Sequence, residues 1–243
     1  MDEVWTVRAG LVPYDEAREL QRRVEAARQE DRIPDVLLLL EHPPVYTKGR
    51  RATPDELPMG EHWYRMQGIE VTGTDRGGRV TYHGPGQLVG YPIVSLHPYR
   101  DDVHEYIRRM ERVVIAALSD WQVRARTIEG LTGVWTEAEA QGAAKKIGSI
   151  GVHVSRGVTS HGFAINVNND LEPFEWIVPC GIESCRMTSL SRELGATQDL
   201  DAFATAVRDR FGEVYERAPV EVSAEELAEE LADRVGGIAA AVR

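Results

Sequence analysis

Cys180 stands between Pro179 and Gly181, a frame that puts it in a turn from which a sulfur can be presented to a cleft. Against that, a lone cysteine also serves as a small buried apolar residue. Cys185 has no comparable frame and reads as packing. Lys145 and Lys146 lead into Ile147-Gly148-Ser149-Ile150-Gly151. Lysines before a strand are either solvated charges or, beside a thiol, the cation that favours its thiolate. The magnitudes permit the second role. Lowering a cysteine from about 8.5 to about 7 takes roughly 2 kcal/mol. A unit charge pair at about 4 Å with an effective dielectric of about 20 supplies about 4 kcal/mol before desolvation is subtracted. Lys146 and Cys180 are 180 − 146 = 34 residues apart, so their meeting is a demand on the fold.

The densest stretch is Arg76-Gly77-Gly78-Arg79-Val80-Thr81-Tyr82-His83-Gly84-Pro85-Gly86-Gln87, with four glycines in twelve residues. It is either two turns flanking a strand or a wall where backbone approaches a ligand closely. No lysine and Ser/Thr follow at phosphate-loop spacing, and Gly90 comes one residue late for the dinucleotide fingerprint. His161 opens His161-Gly162-Phe163-Ala164-Ile165-Asn166-Val167. On a strand it shares a face with Phe163, Ile165 and Val167, as a core-edge histidine or a base. Gly162 and Ala164 then lie on the other face, small enough to leave room for an alkyl chain.

Elements must hold these groups. Tyr14, Ala17, Leu20, Val24 and Ala27 recur as one helix face, as do Val103, Tyr106, Ile107, Met110, Val113, Val114 and Ala117. Leu200, Phe203, Val207 and Phe211 give a third helix, and Ser223 with Glu226 forms a capping box for a fourth. Val36–Leu40 reads as a buried strand ended by His42-Pro43-Pro44. Ile150, Val152 and Val154, then Phe163, Ile165 and Val167, alternate about a hairpin turn at Ser155-Arg156-Gly157. A tight turn at Gly77-Gly78 is expected between Val71–Asp75 and Arg79–His83. The pattern predicts a single α+β domain over residues 1–243, with a C-terminal helical region from about 199. Its mixed or antiparallel sheet is covered by helices mainly on one side.

The 243 residues carry a net charge of −11, which argues against a nucleic-acid binder. The basic residues Lys48, Arg50, Arg51 and Arg79 cluster early and suit an acidic protein partner. Met1-Asp2-Glu3-Val4-Trp5 is acidic and carries no apolar h-region, so no secretory signal is expected, and the longest apolar run is too short to span a bilayer. Two cysteines exclude a disulfide scaffold, so a cytoplasmic setting without membrane association is expected.

Three stretches in order, RGGRVTYHGPGQLVGYP at 76–92, KIGSIG at 146–151 and HGFAINVNNDLEPF followed by PCG between 161 and 181, resemble the lipoyl (octanoyl) transferases. The resemblance covers about residues 37–190 and implies the biotin/lipoate protein ligase-like fold. It implies that Cys180 takes an octanoyl group as a thioester and that Lys146 lowers the thiol pKa and handles protons. Substrate is then bound by Arg76, Gly77, Gly78, Arg79, Val80, Thr81, Tyr82 and His83, by Ser149, Ile150 and Gly151, and by Gly162, Phe163 and Ala164. His161 is a supporting residue. The implied donor is octanoyl-acyl carrier protein. The implied acceptors are lipoyl domains of 2-oxoacid dehydrogenase complexes and the glycine cleavage H protein. No cofactor, metal or ATP is needed, because the donor is already activated. Backbone N–H groups near Gly77–Gly78 or beside Lys146 are expected to hold the oxyanion. The rival readings are an ATP-dependent lipoate or biotin-type ligase on the same fold, a cysteine hydrolase, and a metal-binding protein using Cys180, Cys185, His153 and His161.

Overall fold

The computed structural model describes residues 2–99, 102–137, 144–178 and 186–232. The strands are β1 (Glu3–Leu11), β2 (Asp35–Glu41), β3 (Val45–Lys48), β4 (Glu70–Gly73), β5 (Val80–His83), β6 (Gln87–Ile93), β7 (Ala125–Ile128), β8 (Leu131–Thr136), β9 (Lys146–Ser155), β10 (Val158–Asn166) and β11 (Ala218–Glu221). The helices are α1 (Tyr14–Gln29), α2 (Glu61–Met66), α3 (Val103–Asp120), α4 (Glu172–Glu175), α5 (Leu190–Leu194), α6 (Leu200–Tyr215) and α7 (Ala224–Ala232).

Eight of the described strands form one mixed sheet, in the order β11-β1-β2-β6-β10-β9-β8-β7. β1 runs parallel to both β2 and β11, and the remaining pairs are antiparallel. The expectation of helices mainly on one side does not hold. Leu37, Leu39, Phe163 and Ile165 pack with residues of α3 and α6 on one face, and Val36, Leu38, Leu40 and Ala164 pack with α1 and α7 on the other. A strand buried on both faces has no polar side to show, which is why Val36–Leu40 is an unbroken apolar run. Asp102 caps α3 by accepting from the N–H groups of His104 and Glu105, and the Ser223–Glu226 capping box forms as expected. Arg156 and Gly157 have φ of 47° and 75°, the left-handed pair that a two-residue hairpin turn needs. That turn joins β9 to β10 in unbroken register.

A second sheet, β4-β3-β5, carries the glycine-rich stretch. Here the expected turn at Gly77-Gly78 is corrected. β4 and β5 do not pair with each other; β3 lies between them, parallel to one and antiparallel to the other. Residues 74–79 therefore pass over the end of β3, where the Gly49 N–H binds the Arg79 carbonyl and the Arg50 N–H binds the Arg76 carbonyl. Tyr46, Tyr64, Val80, Tyr82 and Phe174 form the core beneath this sheet. The Tyr46 and Tyr64 hydroxyls donate to the carbonyls of Pro173 and Trp176, fastening the chain just before residue 179. No described helix is long and apolar enough to cross a membrane.

Candidate active site

Between the second sheet and the β9–β10 hairpin lies a narrow cleft, open to solvent at its mouth. Its wall includes Arg76, Gly78, Arg79, Val80, Thr81 and His83 from the glycine-rich stretch, and its floor Ser149, Ile150, Gly151, Gly162, Phe163 and Ala164. Ser149 stands opposite Ala164, and Gly151 opposite Gly162, so small residues meet in pairs along the floor. Gly162 has a packing reason as well. A Cβ there would lie 2.3 Å from the Gly90 carbonyl oxygen and 2.5 Å from Pro92 Cδ.

Arg76 shapes the wall rather than presenting a free charge. Its guanidinium is buried and donates to the Thr47 carbonyl at 2.6 Å, to Thr47 Oγ1, and to the Gly77 carbonyl. The Gly77 N–H donates to the Val152 carbonyl at 2.8 Å, which removes it from the oxyanion donors offered by sequence. Gly77 itself lines a neighbouring groove with Arg51, Lys146 and Gly130. Glu56 holds the other end, its carboxylate accepting from Arg79 at 2.6 Å and from the Val80 N–H. Tyr82 turns its ring away from the cleft and packs on Tyr46 and Phe174. The early basic cluster is likewise partly spent, since Lys48 pairs with Glu61 and Arg79 with Glu56.

His83 is enclosed, and its Nδ1–H donates to Gln87 Oε1 at 2.7 Å, leaving Nε2 as the acceptor nitrogen. Burial pushes its pKa well below the ordinary histidine value. Gln87 donates to Asn166, Asn166 to the Thr188 carbonyl, and the Thr188 N–H to the Lys146 carbonyl. A continuous set of hydrogen bonds thus links His83 to the backbone of Lys146.

Lys146 is 3% exposed and opens β9, where it pairs with Trp135 of β8. Its Nζ lies 5.4 Å from the centroid of the Trp135 ring. The Lys146 N–H donates to the Arg186 carbonyl, and Lys146 bridges to Met187. Residues 186–188 therefore run along the lysine. On the other side of the 179–185 stretch, the Val178 N–H donates to the Glu56 carbonyl. Cys180, its Pro179–Gly181 frame and Cys185 lie outside the described residues.

His161 departs from expectation. Strict alternation puts it with Phe163, but its φ is 58°, a strained setting for a non-glycine residue. The ring instead reaches the cleft face, where Nε2–H donates to Asp75 at 2.8 Å and the ring meets Tyr91. Its Nδ1 is buried without a hydrogen-bond partner among the described residues, and the bond from His161 depresses the Asp75 pKa. His161 pairs with Val152, six residues along β9 from Lys146, which is roughly 20 Å of strand. It therefore serves the opposite end of the cleft from Lys146. His153, the other histidine of the metal reading, also faces Asp75, at 3.9 Å.

Sequence reasoning missed Tyr14, which lines this far end, and Tyr91 opposite it. The Tyr91 hydroxyl donates to His42 Nε2, and the Tyr14 hydroxyl to Thr74. Gln21 was the legible signal, a polar residue on the buried stripe of α1. It accepts the His161 N–H at 2.8 Å.

A mixed sheet crossed by a small three-stranded sheet, with a narrow cleft between them, is the architecture of lipoate and biotin protein ligases. An archaeal bipartite lipoate protein ligase from Thermoplasma acidophilum overlays with a TM-score of 0.74 at 19% identity, covering 97% of this chain and 92% of that one. A lipoate-protein ligase A bound with ATP overlays at 0.69 and 18% identity, covering 97% and 94%. The model of the lipoyl protein ligase A/B catalytic domain matches residues 13–212, and the chain belongs to that family. The chain is 43% identical over 221 residues to an octanoyltransferase of Myxococcus xanthus, which covers 91% of this chain and 62% of that protein. It is 49% identical over 207 residues to an octanoyltransferase of Rubrobacter xylanophilus, covering 84% and 90%. An octanoyltransferase of Koribacter versatilis is 46% identical over 209 residues, covering 85% and 82%.

Proposed function

We propose that this chain is an octanoyltransferase of protein lipoylation, working as one catalytic domain in the cytoplasm. The observation that carries the reading is a single cleft joining Lys146 to the segments 76–83, 149–151 and 162–164. The names of relatives at 43–49% identity support the octanoyl group. The donor is octanoyl-acyl carrier protein, and the acceptors are lysines of lipoyl domains and of the glycine cleavage H protein.

Cys180 is the nucleophile in this reading. An ammonium at Lys146 favours the thiolate, which attacks the donor carbonyl. The bond to the carrier sulfur breaks, and the carrier leaves as a thiol after taking a proton from Lys146. The alkyl chain lies over Gly151, Gly162 and Ala164. The acceptor amine then attacks the acyl-enzyme, the bond to Cys180 breaks, an amide forms, and the amine's proton passes through Lys146 to the departing sulfur.

The wild-type protein mixed with octanoyl-carrier should gain one octanoyl mass, and Cys180→Ala should not, as read by intact mass. An undiminished adduct on that variant would overturn the nucleophile assignment. Consumption of ATP with free octanoate, and no transfer from the carrier thioester, would favour the ligase reading that the fold also accommodates.

A further inference from the structure

A thioester has two arms that diverge from its carbonyl, and the cleft described above accounts for one of them. Its floor of small residues suits the acyl chain, so the thiol arm needs a second path to the same point. Toward β8 and α3 a neighbouring groove supplies one. Groove and cleft share Gly78, Arg79, Lys146, Ile150 and Gly151. The Gly77 N–H donates to the Val152 carbonyl, which seats the glycine pair on β9 where the two adjoin. β8 pairs with β9 at Lys146 and Gly148, and the start of β8, at Leu131 and Thr132, forms the facing wall with Ile107 of α3. From Lys146 to Val152 the groove follows β9 for roughly 20 Å. We propose that this groove holds the thiol arm of the carrier-bound donor, phosphopantetheine, with the phosphate of that arm at Arg51. The inference rests on the octanoyltransferase reading above and says where its donor lies.

Charge and surface chemistry both favour that occupant. Arg51, Arg79 and Lys146 line the groove, and no acidic side chain does among the described residues. Arg79 is already answered by Glu56, and Lys146 stands at the reactive end. Arg51 is exposed and enters no ion pair among the described residues. Its backbone N–H is fixed on the Gly78 carbonyl, so the root of the side chain is held while the guanidinium remains to fork onto a phosphate. Ile107, Leu131, Ile150 and Val152 are half-buried and offer an apolar surface to the dimethyl-substituted carbon of the arm. An acceptor lysine, a cation until it reacts, gains nothing from such a lining.

The test compares octanoyl-phosphopantetheine with octanoyl-pantetheine, which differ only in the phosphate, by the second-order rate of octanoyl-enzyme formation read as intact mass. Wild type should use the phosphorylated donor about three- to fivefold better, the worth of one exposed charge pair. Arg51→Ala should remove that preference. Thr132→Glu, an acid set on the exposed wall of the groove, should reverse it. Equal use of the two donors by wild type, or a preference that survives R51A, overturns the proposal. Should R51A fail to fold, a preference undiminished in T132E overturns it instead. Preformed octanoyl-enzyme is also mixed with a lipoyl domain. Slower transfer in both variants, with the donor preference intact, would assign the groove to the acceptor and overturn the proposal. No octanoyl-enzyme from either donor or from octanoyl-carrier would defeat the transferase reading beneath it, whereas equal rates from the two small donors defeat this inference alone.

Discussion

His42 is fully enclosed, with Nδ1–H donating to the Val12 carbonyl at 2.7 Å and Nε2 accepting the Tyr91 hydroxyl at 2.7 Å. Burial pushes its pKa from 6.5 down to about 4. In that interval the unfolded chain binds a proton that the folded chain refuses, so stability falls as pH falls. About 2 kcal/mol is lost by pH 5 and about 3 kcal/mol by pH 4, a large part of a total in the range of roughly 5–15 kcal/mol. His83 adds loss of the same sign. Asp75, held below the ordinary carboxylate value by His161, loses its share only below pH 3.8. Urea unfolding followed by tryptophan fluorescence between pH 7.5 and 4.5 isolates the histidines. His42→Gln supplies a donor for Val12 and an acceptor for Tyr91, and should flatten the pH dependence while lowering stability at neutral pH. Protonation of His42 would also set two donors against each other at Tyr91, a wall of the cleft, so octanoyl-enzyme yield should fall in the same interval. A wild-type stability constant from pH 6.5 to 4.5, or an H42Q slope equal to wild type, would refute the reasoning.

Three further outcomes are expected. Gly162→Ala drives a methyl into the Gly90 backbone, so it should cost about 2 kcal/mol and lower the melting temperature by roughly 4–8 °C, with acylation reduced because the floor must shift. Arg76→Lys cannot reproduce the fork onto Thr47; it should lose about 2 kcal/mol in urea unfolding and slow acylation by the loosened wall. Of the expected docking cations, Arg50 and Arg51 have no ion pair among the described residues, while Lys48 and Arg79 are engaged. Arg50→Glu with Arg51→Glu should therefore raise KM for the carrier-bound donor about tenfold and leave a small octanoyl thioester unaffected, measured by steady-state kinetics at low salt.

Much of the hairpin that floors the site was legible, because β9 and the second half of β10 alternate in sequence and their turn residues accept left-handed backbone. The helix faces were legible for the same reason. Partner choice was not. Nothing in the periodicity of β1 says that it pairs with β2 and with β11, and β11 is a short strand inside the stretch read as helical. Gly77-Gly78 looked like a hairpin turn because the two strands it separates are close in sequence; the insertion of β3 between them is a tertiary fact. The alternation rule failed at His161 because one left-handed residue reverses a side chain, and histidine gives no warning of it.

The direction of the cleft follows from that hairpin. Lys146 begins β9 beside residues 186–188, and Val152 lies at the far end, paired with His161. In the proposed function, chemistry at Lys146 gives an acyl tail a path of small residues, past Ser149 and Ala164 to Gly151 and Gly162. Beyond them the lining becomes polar, with His161, Tyr14 and Tyr91. An alkyl chain gains by covering the first part and gains less against the polar side chains beyond it. In that reading the strand pair that places Lys146 also limits how far an apolar tail extends.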